Sequence, residues 1–367
     1  MELKKILPEL NETKINMPIN PLFNHLPEEF SNYGGKCPTY IRPLSGFTFG
    51  AEFECLLPRL ESTSDNEEVR NTHINRYHAR YPDPVEWLPA YLNDNASRSS
   101  THCEADSSVR TSRHGFTGVE FVTPPVKGAL GVKYICDVAD KLRAEGCRVN
   151  ATCGLHLHVG LKGIVGNAKV DDVVAFLAQL NKMVLNFQDG LYAQTGTRRD
   201  RNTYCRRHDE NEGLMAVAKS VGSKTKGSKS HDDYQRLYHY AERYRCLNLR
   251  NLSRGMGDGK ATLEFRFPAG TLNTDKIAMH LATIVFLCRL AWKTRHTKAD
   301  SVTWDLNKGY HKQSSKAGVR TLKVLLRKMN SAKQGKYLKY ESTVFADRWD
   351  SMQEVAMRMA EKYDNRA

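Results

Sequence analysis

No Cys-x-x-Cys pair occurs in this 367-residue chain and its nine cysteines are an odd number, so neither a zinc ribbon nor a closed disulfide framework is written into it. No run of about 20 uncharged apolar residues exists. The most apolar segment, Ile277–Trp292, is shorter and includes His280 and Arg289, so it reads as a buried core helix, and no membrane partner is expected. The Gly-x-x-x-x-Gly-Lys-Ser/Thr spacing of a phosphate loop is missing too, even from the Gly-, Ser- and Lys-rich stretch Lys219–Lys229. That stretch reads as a mobile surface loop, with a lid over a nucleotide or a grip on an acidic partner as the sharper alternative. Met1–Pro8 has no secretory pattern, which together with the cysteine usage points to a cytoplasmic location. Internal repeats are absent. Negative charge is in short supply, 41 Asp plus Glu against 55 Lys plus Arg, and the resulting +14 favours an anionic partner such as a nucleotide, an acidic peptide or a nucleic acid. Hydrophobic content of 40% and charged content of 26% exclude a disordered chain.

What is present is a set of strands that keep one face for chemistry. Thr262–Thr271 alternates Leu263, Phe265 and Phe267 with Glu264 and Arg266, so one face packs while a carboxylate and a guanidinium share the other. An isolated Glu-x-Arg is ordinarily an exposed ion pair on an edge strand, worth about 0–1 kcal/mol. Three further stretches change that reading. Phe47–Cys55 places Glu52 and Glu54 two apart, Gly118–Pro125 carries Glu120 in an apolar run ended by prolines, and Cys153–Val159 sets His156 and His158 opposite Leu155, Leu157 and Val159. Two carboxylates on one strand face repel unless a cation lies between them. Carboxylate oxygens suit Mg²⁺ or Mn²⁺ held together with substrate phosphates.

In order, Gly-Ala-Glu-Phe-Glu, Asp106-Ser107-Ser108, Gly-Val-Glu-Phe-Val-Thr-Pro-Pro, Cys-Gly-Leu-His-Leu-His-Val, and Arg245 with Asn248-Leu249 leading into Thr-Leu-Glu-Phe-Arg-Phe-Pro-Ala-Gly-Thr-Leu-Asn resemble the motifs of the amidoligases, over about Phe47 to Asn273. These are ATP-dependent carboxylate–amine ligases with a glutamine synthetase-like catalytic domain. Ser107 and Phe53 are mild departures from the family pattern. The resemblance implies ATP and Mg²⁺ (or Mn²⁺) as cofactors, and a carboxylate and an amine as substrates. It further implies that Glu52, Glu54 and Glu120 hold metal on one side of the site and that His156 and Glu264 hold the ion bridging the phosphates. Arg266 then meets the γ-phosphate and His158 faces the nucleotide. Asp106 helps hold substrate or metal. Of the basic run Arg198, Arg199, Arg201, Arg206 and Arg207, the resemblance brings Arg198 and Arg199 toward the phosphates, and it adds Arg245 and Asn248 to the nucleotide side.

The fold expected is α+β, a mostly antiparallel sheet with a ligand-bearing open face and with helices near Leu130–Glu145, Asp171–Leu191 and Ile277–Trp292 on the other. Asp171 and Asp172 read as caps of the second helix. Tyr234–Tyr244 reads as a tyrosine-rich helix, and Arg245–Leu249 as the first strand of a hairpin returning through Gly255–Gly259. Residues 1–40 read as an irregular arm with one short helix near Pro27–Tyr33, residues 41–295 as the catalytic domain, and residues 296–367 as a helical extension with helices near Trp304, Leu322–Leu326 and Phe345–Met359. Arg59–Arg113 reads as polar surface loop, His73 and His78 included.

The chemistry follows from the difficulty of acylating an amine with a carboxylate, whose oxyanion is a poor leaving group. Passing a phosphoryl group to it first requires metal and cationic side chains around the γ-phosphate. A phosphotransferase or an ATP-dependent deamidase could use the same residues. A basic nucleic-acid-binding protein needs stacking aromatics among Lys and Arg, for which only Tyr234–Arg245 comes near. Zinc hydrolysis from His156-x-His158 is disfavoured by the acids beside the pair.

Overall fold

The computed structural model describes residues 44–58, 101–112, 114–209, 212–254, 261–297, 317–331 and 338–366. All of these belong to one compact unit of the chain, Tyr40–Ala367. The expected N-terminal arm with its helix near Pro27–Tyr33, most of the polar segment after Pro58, the Gly255–Gly259 turn and the helix near Trp304 lie outside the described residues.

The architecture is α+β around a seven-stranded sheet in which every pairing is antiparallel. The strands are β1 (Thr48–Pro58), β2 (His102–Ala105), β3 (Phe116–Val122), β4 (Val126–Lys127), β5 (Leu155–Gly160), β6 (Leu247–Asn248) and β7 (Thr262–Phe265). Their order is β2-β3-β1-β5-β7-β6, with β4 pairing the start of β1. Long β1 is central because its alternation serves both faces. Phe49, Ala51, Phe53 and Cys55 point into the core, each at most 2% exposed, and Glu52 and Glu54 point the other way. Phe121, Leu155, Leu157, Val159, Leu263 and Phe265 extend the same apolar sheet face. Each fully buried Phe or Leu contributes roughly 1.5–3 kcal/mol, which fixes the register and with it the ligand face.

Helices cover the apolar side: α1 (Gly128–Ala144), α2 (Leu161–Val165), α3 (Val170–Ala193), α4 (Gly213–Ser223), α5 (His231–His239), α6 (Thr274–Thr294), α7 (Ala317–Ser331) and α8 (Thr343–Asp364). The three expected core helices are α1, α3 and α6. Helix α6 is long and apolar enough to cross a membrane, but 89% of its apolar window is buried inside the molecule, so it is a core helix. Residues of α7 and α8, among them Leu322, Leu325, Phe345, Trp349 and Met352, join the same core cluster as the sheet.

Several local expectations are corrected. Helix α3 begins after Lys169, so Asp171 and Asp172 sit inside its first turn, where they favour the helix dipole without capping it. Their carboxylates instead accept from the Lys229 amide (3.0 Å) and from Arg295 Nε (2.8 Å). The stretch Lys219–Lys229 is tied down. Its first five residues complete α4, Lys224 Nζ donates to both oxygens of Asp233 at 2.7 Å, and Lys229 folds back onto the carbonyls of Lys224 and Thr225. Helix α5 stops at His239, five residues short of the expected end, and β7 stops at Phe265. Beyond β7 the chain still runs beside β5's approach, through a bridge between Gly154 and Ala269.

Candidate metal centre on the open sheet face

The antiparallel register assembles the site. Glu52 stands opposite His156, Glu54 opposite Glu120, and His158 opposite Glu264, so residues far apart in sequence become cross-strand neighbours on one face. His156, only 3% exposed, lies at the centre. Its Nδ1 is 3.0 Å from Glu52 Oε2, 3.9 Å from Glu120 Oε1 and 3.9 Å from Glu264 Oε1, and its Nε2 is 3.2 Å from Glu54 Oε1. His158 Nε2 is 3.0 Å from the other oxygen of Glu52.

Burial pushes Glu120 up to about 8, and the charges of Glu52, Glu54, Asp106 and Glu104 push the same way. Burial also acts to raise Glu52, but the neighbouring His158 charge and the His156 hydrogen bond outweigh it and hold the carboxyl well below its usual range. Glu264 is likewise held low against burial by His158, His156 and Arg266. Burial alone would lower His158, yet Glu52 raises it to about 9.

The donor set fits a hard divalent cation. Glu52, His156 and Glu264 form one group of ligand atoms within 4.8 Å of one another, and Glu54, Glu120 and His156 form a second. Among the described residues, two buried nitrogens, His156 Nε2 and His158 Nε2, have no aligned hydrogen-bond partner although carboxylate oxygens lie 3.0–3.2 Å away. Nitrogen–oxygen separations of that size are compatible with two ligands sharing one ion. This grouping places Glu52 with His156 and Glu264, where the sequence reading set it beside Glu54 and Glu120. A third group, Asp171, Asp172 and His296, already has Arg295 and Lys229 as cationic partners and is a structural ion network.

Around the centre, the supporting contacts are specific. Asn248 Nδ2 donates to Glu264 Oε2 at 2.6 Å, and its own Oδ1 accepts from the Arg250 amide. Arg266 pairs with the other Glu264 oxygen through Nη1, and its Nε donates to the Tyr204 carbonyl at 3.1 Å. The Gly154 amide donates to Glu54 Oε2 at 2.5 Å. Gly154 allows a close approach: a Cβ there would stand 2.1 Å from Arg199 Nη2 and 3.1 Å from Glu54 Oε2, so the guanidinium and the carboxylate both come up to this glycine. Arg199 is 5% exposed, its Nη1 donates to the Cys153 carbonyl, and its Nε and Nη2 have no protein partner.

The remaining expected residues lie outside this centre. Asp106 accepts from the Ser108 amide at 2.7 Å and reaches the cluster only through its charge on Glu120. Arg198 makes a two-pronged pair with Asp200. Arg245 turns to the Arg207 carbonyl, Glu212 and Glu242, on a separate polar cavity of about 480 Å³ also lined by Gln188, Arg206 and His208. The sequence reading missed Glu104, which stands opposite Glu120 on β2. The available signal was an acid at Glu104 next to an apolar Cys103, two residues before Asp106.

An antiparallel sheet with hard ligands on its open face and helices behind it defines an α+β protein with a candidate divalent-cation centre. A family model described as "Putative amidoligase enzyme" matches residues 58–287, well over half of the chain. The chain therefore belongs to the amidoligase family, and it is an enzyme of the ligase kind. The matched range starts just after Glu52 and Glu54 and ends before α7 and α8. Among solved structures, a similar chain comes from the "Crystal structure of the complex between Prokaryotic Ubiquitin-like Protein Pup and its Ligase PafA", with 9% identity, a TM-score of 0.40, and coverage of 88% of this chain and 65% of that one. The present chain thus spans less than two thirds of that neighbour's length. No curated protein matches the chain.

Proposed function

We propose that this protein joins a carboxylate to an amine at the expense of ATP, through an acyl phosphate, with Mg²⁺ or Mn²⁺ in the site. The observation that carries the reading is the convergence of Glu52, Glu54, Glu120 and Glu264 on His156, a buried set of oxygen and imidazole donors that is costly without a cation. When bound, the metal would neutralise phosphate charge as the γ-phosphoryl group moves. The chain's own residues do the rest. Glu264 is held in one orientation by Asn248 and Arg266, while the planar fork of Arg266, anchored at Nε and Nη1, offers its other donors to phosphoryl oxygens. Arg199 brings unpartnered donors to the Glu54 side, and His158 stands on the rim toward the nucleotide. A substrate carboxylate oxygen attacks the γ-phosphorus and ADP leaves. The amine then attacks the acyl carbon, and phosphate leaves with that oxygen. Among the described residues, eight buried cysteines form no disulfide, which suits a reducing compartment such as the cytoplasm.

The test is a screen of metabolite and peptide extracts with labelled ATP for amine-dependent ADP release, followed by ¹⁸O labelling of the substrate carboxylate. Label in the released phosphate is expected. Label retained wholly in the amide, or AMP as product, refutes the acyl phosphate; a lasting phosphoryl product would make the enzyme a kinase.

A further inference from the structure

We infer that Tyr363, near the end of α8 and beyond the family-matched residues, is a positioning residue for the metal centre: through Asp200 and Arg198 it fixes the turn from which Arg199 points toward Glu54 across Gly154. The inference rests on the reading of Glu54 as a metal ligand.

Arg199 opens a short 3-10 turn, Arg199–Arg201, and among the described residues its guanidinium hydrogen-bonds to the Cys153 carbonyl alone. Its flanking residues are held firmly. Arg198 Nε and Nη2 donate to the two Asp200 oxygens at 3.1 and 2.9 Å, and the Tyr363 hydroxyl donates to Asp200 Oδ2 at 3.0 Å. Arg198 Cζ also lies 4.6 Å from the centre of the Tyr363 ring, so the phenol engages both members of the pair at once. One turn upstream, Gly196 takes a positive φ of 67°, its carbonyl accepts from Arg366 Nη1 at 3.1 Å, and Met359 packs so close that any Cβ would collide with its sulfur. Met359 and Tyr363 of α8 and Arg366 just beyond it thus bracket the loop on both sides of Arg199. Asp200, 5% exposed, and Tyr363, also 5% exposed, are buried, where a shared carboxylate fixes geometry better than a surface pair does. With both neighbours clamped, the backbone of Arg199 is held where its guanidinium comes up to Gly154 on the Glu54 side.

The test uses the full-length protein and Mn²⁺ alone as probe, with calorimetry for affinity and a thermal melt for stability. Arg199 places a cation beside Glu54, so R199Q should bind Mn²⁺ several-fold more tightly. Y363F and D200N, by releasing the turn, should shift affinity in the same direction by a smaller factor. Neither should add anything in the R199Q background, because residues acting through one another are not additive. Ordinary loss of packing predicts the opposite pattern: a lower melting temperature in both backgrounds and Mn²⁺ affinity left at the wild-type value. That result in Y363F and D200N, with wild type still binding Mn²⁺ and H156A not, overturns this inference alone. Wild type failing to bind Mn²⁺ overturns the proposed function and this inference together.

Discussion

Burial, with the charges of four other acids acting the same way, pushes the Glu120 carboxyl up to about 8. The sign of its effect on stability follows. Its folded-state value lies above the unfolded 4.5, so ionising it costs the native state. The cost is absent below pH 4.5, grows as pH rises toward about 8, and is complete above that. E120Q should therefore melt higher than wild type without metal, by on the order of 2–4 °C, with the gain present at alkaline pH and gone in acid. Saturating Mg²⁺ should reverse it, and a gain unaffected by either condition would count against the cluster. Gly154 makes a second prediction at this scale. Its φ is not positive, and the atom a Cβ would meet is the tip of a flexible guanidinium. G154A should fold with little loss of stability while moving Mn²⁺ affinity as R199Q does. For Arg266→Lys, charge is kept and the fork is lost, so turnover should fall on the order of 100-fold with far less change in ATP affinity. The acids and histidines were legible from sequence because alternation assigns a face to each. The Gly154 spacer and the Tyr204 carbonyl under Arg266 were not, because backbone contacts across some 50 residues leave no pattern in composition.

At the level of elements, strand period and apolar helix stripes carried the expectation well: β1, β3, β5, α1, α3 and α6 lie where alternation and 3.6-residue spacing put them. What failed was decided by tertiary partners. Asp171 and Asp172 look like caps, yet the helix starts earlier and their oxygens answer Lys229 and Arg295 instead. Lys219–Lys229 looks mobile by composition, but Asp233 accepts Lys224 and the Asp171 carboxylate takes the Lys229 amide. Its stiffness is checkable by hydrogen exchange: the Lys229 amide should exchange more slowly than those of Lys226 and Gly227, for which exposed surface is the only setting. D171N should weaken that protection, and equal exchange across all three amides would show the loop to be loose after all.

For the molecule as a whole, the C-terminal helices are not peripheral. Phe345, Trp349, Met352 and Tyr363 share the core with the sheet, and Trp349 Nε1 donates to Asn330 on α7 at 3.0 Å. Truncation before α8 should therefore abolish a single cooperative melt, where a separable extension would leave the catalytic sheet's transition intact. The sequence could announce helices there, but not that their inner faces complete the core, since amphipathic spacing says which side is apolar and never against what.

His156 belongs to both ligand groups. A neutral imidazole has one lone pair to give, at Nδ1 or at Nε2, and a proton on the other nitrogen. Whichever group takes the lone pair leaves its neighbour to carboxylates alone. If both groups take an ion they do so as unequals, and a Mn²⁺ titration should then resolve a tight step followed by a weaker one.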